Sequence, residues 1–141
     1  MDFNHHMRHS AFADWGTCAL TEWLNANGLS ILKLREPRVA SILFEERTRY
    51  LKEIFLGERI AIELQLAGAD RDGSRWLVLH IFLRGATVCA VYEAKGAWFS
   101  TATRRVVPAP PGLMDAFSNL SRTDDYAELS SGESVIEEVV A

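Results

Sequence analysis

The chain has no uncharged apolar run near the eighteen or so residues that a bilayer span requires, so a membrane helix is excluded. It also lacks an excess of basic residues. Fifteen Lys and Arg stand against nineteen Asp and Glu, a net charge of −4, and no nucleic-acid partner is expected. Cysteine is scarce. Cys18 and Cys89 are too few and too far apart for a disulfide scaffold, and they read as two buried thiols in a reducing compartment, the cytoplasm. A charged-then-apolar leader is missing, since His and Arg occupy the start, and no internal repeat is evident. What remains, at 141 residues, is enough chain for one compact domain with a sizeable core.

The most organised stretch comes first. Phe12, Trp15, Ala19, Leu20, Trp23 and Leu24 recur at steps of three and four, which places them on one face of a helix spanning about residues 8 to 25. Two tryptophans on that face need a wide apolar surface to cover them, and a sheet supplies one. Asn25-Ala26-Asn27-Gly28 is the stop, with Gly28 suited to a left-handed cap.

Strand patterns follow. Val39 to Tyr50 alternates loosely, with Ala40, Ile42, Phe44 and Tyr50 on one side and Glu45, Arg47 and Arg49 on the other. Gly57-Glu58 turns the chain into Arg59 to Ala67, and Asp72-Gly73 marks a hairpin leading to Trp76 to Leu83. That third run is almost continuously apolar, as if covered on both faces. Arg84-Gly85 turns it into Thr87 to Thr101, and Pro110-Pro111 precedes a short helix near Gly112 to Leu120. Four strands after one long helix predict an α+β domain, an antiparallel sheet wrapped around a buried helix, over residues 1–120. From residue 121 the composition turns to Asp124, Asp125, Glu128, Glu133, Glu137 and Glu138 among Ser and Gly, so 121–141 reads as an acidic C-terminal tail.

The start of the helix carries the chemistry. Asp2, His5, His6 and His9 precede or open it, where outward-pointing backbone N–H groups favour negative charge. The order Asp2, His6, Met7, Phe12 resembles the N-terminal motif of the hotdog-fold acyl-CoA thioesterases, in particular the 4-hydroxybenzoyl-CoA thioesterase-like group. That pattern runs from an Asp through a Gly, a common His and an apolar residue to a Tyr ten positions after the Asp. Here His5 departs from the Gly, and Phe12 lacks the phenol. The resemblance extends over roughly the first 117 residues. It includes Gly57-Glu58 for the family's Gly-Asp pair and an Arg-then-Pro ending at Arg104, Arg105 and Pro108. In the family a strand precedes the acidic motif, so this chain, with Asp2 as its second residue, is expected to lack that first strand.

The resemblance implies a hotdog fold and an acyl-CoA hydrolase. Asp2 would be the general base toward water or the nucleophile, and the backbone N–H near His9 would polarise the thioester carbonyl. His5, His6 and Phe12 would contact the acyl group. The phosphates of coenzyme A would fall to Arg104 and Arg105, with Arg35, Arg38, Arg47 and Arg49 as further candidates. Neither a cofactor nor a metal is expected, although His5 and His9 share the spacing of zinc-binding helices. His80, between Leu79 and Ile81, reads as a satisfied core or interface histidine. Two other functions stay open: a hotdog-fold hydratase or dehydratase, and a non-catalytic acyl-CoA binding module. Apolar surface left over on the last two strands predicts a homodimer with a continuous sheet, or a dimer of dimers, paired through Thr87 to Thr101 or its neighbour.

Overall fold

The computed structural model describes residues 6–30 and 38–129. Helix α1 (His9–Ala26) leads into strands β1 (Val39–Tyr50), β2 (Ala61–Ala69), β3 (Arg75–Arg84) and β4 (Thr87–Ser100). A two-residue strand β5 (Arg105–Val106), helix α2 (Leu113–Ser118) and strand β6 (Ser121–Glu128) follow. The six strands lie in one sheet ordered β1-β4-β3-β2-β6, with β5 attached to β4. The α+β architecture and its four antiparallel strands thus lie where the periodicity placed them.

The alternation of β3 makes the core. Trp76, Val78, His80 and Phe82 point to the helix side and are buried, while Leu77, Leu79 and Ile81 on the outer side are half-buried. Across the ladder, His80 pairs Tyr92 and Phe82 pairs Ala90, continuing the same inner layer. The Asp70–Ser74 turn holds β2 to β3. Gly73 takes the positive φ of 69° that the turn requires, and buried Asp70 accepts hydrogen bonds from Ser74 Oγ at 3.0 Å and Arg75 Nη1 at 3.1 Å.

Four expectations are corrected. Trp15 is 58% exposed, because the packed face of α1 is centred on Gly16, and a residue one step away lies about 100° round the helix. Cys18 is exposed for the same reason, while Cys89 is buried. In β1 the register slips between Leu43 and Glu45, leaving Phe44 as a bulge. The extra residue reverses the alternation, so Glu46, Thr48 and Tyr50 share the side of Ser41 and Leu43.

The fourth correction concerns the acidic tail, whose first eight residues form β6. This strand runs parallel to β2, pairing Gln65 with Ser121 and Ala69 with Glu128. Tyr126 packs against the core cluster, and the Arg122 guanidinium lies 4.2 Å from its ring centroid. An aromatic anchor outweighs an acidic composition that solvent can accommodate on the strand's other residues.

Candidate functional site

α1 begins without a capping side chain. Arg8 stands at the N-cap with extended backbone angles, and the first turn contains no acidic residue. The first N–H groups of a helix have no intrahelical acceptor, so those of His9 and Ser10 mark the positive end of α1. The preceding segment is held by the loop after β1: His6 bridges Phe55, and Met7 N donates to Ile54 O at 2.8 Å. That loop is pinned in turn. Glu58 accepts from Phe55 N at 3.0 Å and from Arg84 Nη1 at 2.9 Å, and the Phe55 N–H and the guanidinium hold its carboxyl below the usual range.

Beside the helix start lies a small pocket of about 230 Å³ whose walls include His6, Met7, Phe12, Tyr50 and Ile54. Phe12 is buried and meets the edges of the Tyr50 and Phe82 rings at 5.2 and 5.1 Å. The His6 ring stands edge-on to Phe55 at 4.7 Å, and its Nε2 lies 3.7 Å from Glu53. His6 and Phe12 are therefore brought together, and His9 is exposed on the first turn. Asp2, His5 and Arg35 lie outside the described residues. Among the described residues no group of three or more His, Cys, Asp or Glu side chains could hold a metal ion.

Arg104 and Arg105 are elsewhere. They follow the far end of β4, where Arg104 N donates to Ser100 O and its guanidinium lies 5.6 Å from the Phe99 ring centroid. Tyr50, beside the helix start, pairs with Ala90, ten residues before Ser100 on β4. At about 3.3 Å per residue, these arginines are roughly 30 Å from their own chain's helix start.

A larger cavity of about 490 Å³ opens at that far end, between the second half of α1 and the sheet. Leu20, Leu24, Leu43 and Trp98 form apolar walls, and His80 and Tyr92 contribute ring surfaces. Tyr92 Oη donates to Glu46 Oε2 at 2.5 Å; burial and that carboxylate raise its pKa well above the ordinary phenol value. His80 is 1% exposed, its Nδ1 lies 3.2 Å from Tyr92 O, and burial lowers its pKa to about 4. Gly16 permits this packing. A Cβ there would come within 2.5 Å of Tyr92 Cδ1. Sequence reasoning missed Glu46, Tyr92 and the cavity. A glycine in mid-helix was the available signal, since such a residue marks a close approach by something large.

The thioesterase-like superfamily model matches residues 1–117. The chain belongs to that superfamily. Solved structures share its hotdog fold at low identity. A gentisyl-coenzyme A thioesterase is 17% identical, with a TM-score of 0.71 over 84% of this chain and 91% of the other. A 1,4-dihydroxy-2-naphthoyl-CoA thioesterase from Synechocystis is 15% identical, with a TM-score of 0.74 over 85% and 88%. A Staphylococcus aureus protein solved in complex with CoA is 19% identical, with a TM-score of 0.76 over 96% and 84%. No curated protein matches the chain. For this superfamily member, the pocket at the helix start and the large cavity lie toward opposite ends of α1.

Proposed function

We propose that this thioesterase-like protein hydrolyses an acyl-CoA to the free acid and coenzyme A, with the uncapped start of α1 as the reacting centre. The carrying observation is the absence of both a capping side chain and a first-turn acid at His9. N–H groups at the positive end of a helix suit the oxyanion that develops on a thioester carbonyl. Asp2, a few residues upstream, supplies the carboxylate, either activating water or attacking the carbonyl to give a mixed anhydride. His6 and Phe12 flank the acyl group, with His5 adjacent in sequence. Superfamily membership, the coenzyme A thioesterase neighbours and the CoA-bound neighbour support the reaction class.

The site takes two chains. β4 is flanked by β1 and β3, so it cannot pair with another copy, but its neighbour β1 is an edge of the sheet among the described residues, β6 being the other. Pairing two β1 strands antiparallel about a two-fold axis sets the Tyr50 end of one against the Val39 end of the other. Each helix start then faces the partner's cavity and its Arg104 and Arg105, which lie too far from their own. A panel of CoA esters assayed by thiol release tests the reaction. Asp2→Asn should lower kcat by two orders of magnitude or more with the fold intact. Equal rates in the variant would remove Asp2 from the mechanism.

A further inference from the structure

The loop that holds the helix start is short of packing. Between Leu51 and Glu58 only Ile54 is buried, while Leu51, Phe55 and Leu56 are 54%, 42% and 66% exposed. Loops with few buried apolar contacts open readily unless polar contacts fasten them. Here both ends are fastened. Leu51 N and Lys52 N donate to Cys89 O at 2.9 Å, and Arg84, the last residue of β3, holds the other end. Its Nη1 donates to Glu53 O at 3.0 Å and to Glu58 Oε2 at 2.9 Å. The same carboxylate oxygen takes the Phe55 N–H at 3.0 Å, a reversal that Gly57 permits with its positive φ of 88°. One residue before Phe55, Ile54 O receives Met7 N at 2.8 Å.

We infer that Arg84 and Glu58 are positioning residues for the segment that enters α1. They act through the loop: they fix Ile54 and Phe55, which carry Met7 and His6 and so the first turn of the helix. Their side chains keep 36% and 27% of their exposure, and an ion pair so close to solvent contributes little to global stability. What it sets is the geometry of one loop. Displacing reacting groups by about 1 Å is enough to lower a rate about a hundredfold. The effect on turnover rests on the helix start being the reacting centre, as proposed above, but the mechanical link does not.

The link is read first in wild-type protein, by amide hydrogen exchange. Phe55 and Met7 should open together, with protection within about threefold of each other and far below that of Val78 in the core. Arg84→Met keeps the apolar stem and removes the donors. It should speed exchange at Met7 at least tenfold and leave Val78 unchanged, with circular dichroism verifying the fold. Because one nitrogen makes both contacts, a lysine ammonium can replace them, and Arg84→Lys should restore the slower exchange. On a CoA ester that the wild type cleaves, Arg84→Met should lower kcat at least tenfold with KM within twofold, and Arg84→Lys should recover it. Unequal protection in the wild type, an unmoved Met7 amide in folded Arg84→Met, no recovery in Arg84→Lys, or an unchanged kcat despite faster exchange would each overturn the inference. A wild-type chain that cleaves no CoA ester would reject the proposed hydrolase, and the exchange results would then decide the link by themselves.

Discussion

Two residues show how single side chains shape the cavity. Gly16 leaves room for the Tyr92 ring at a point where any Cβ would collide with it. Alanine in a helix interior is favoured over glycine by about 1 kcal/mol, yet overpacking a core costs about 1–3 kcal/mol. The collision should win, so Gly16→Ala is expected to lower stability by urea unfolding. A stabilised variant would show that Tyr92 yields freely. His80 makes a different prediction, in pH. Its folded pKa of about 4 lies below the ordinary value of 6.5, so the native state favours the neutral ring. This contribution is complete above pH 6.5 and is lost as pH falls toward 4, reaching about 3 kcal/mol. In the stability profile of His80→Phe, the acid-side decline between those limits should be shallower than in wild type.

At the scale of elements, β6 and the β1 bulge matter most. Composition assigned residues 121–141 to an acidic tail, and the structure makes Ser121–Glu128 a strand whose half-buried Tyr126 packs against the core. Fully burying a large apolar side chain contributes about 1.5–3 kcal/mol, and the partial burial of Tyr126 contributes a share of that. A chain ending at Leu120 should accordingly unfold at lower urea than one ending at Leu129, and coincident curves would restore the tail reading. The bulge at Phe44 carries Glu46 to the side of Tyr92. Deleting Phe44 would turn the carboxylate outward and uncouple the pair. Four strands and both helices lie within a few residues of their periodic patterns, because alternation and three-to-four spacing are local properties. A bulge adds one residue without altering composition, so periodicity alone does not reveal it.

For the whole molecule, the decisive feature is the distance between the helix start and the arginines expected to serve it. They lie at opposite ends of β4, and a two-fold pairing of β1 edges is the arrangement that brings them together. Sedimentation velocity at micromolar concentration should therefore show a species of at least twice the 15.8 kDa chain. A proline at Arg47, in the second half of β1, should weaken that association, because an edge proline stiffens the strand and removes an N–H that pairing can use. Monomers throughout would leave each helix start without a second wall and would sink the two-chain site.

The order of residues by itself determined the elements, the α+β class and the motif Asp2, His6, Met7, Phe12, since each depends on neighbours within about a dozen positions. The resemblance carried by that motif was then met by a superfamily match over residues 1–117. Tertiary structure decided the rest. It exposed Trp15 and Cys18, enlisted the first eight residues of the supposed tail as a strand, and separated Arg104 and Arg105 from the helix start. It also enclosed His80 beside a cavity that no local pattern announces. The physical reason is that a cavity, an edge and a long-range ion pair belong to surfaces built from distant segments. Periodicity assigns a residue to a face, but only packing determines what that face meets.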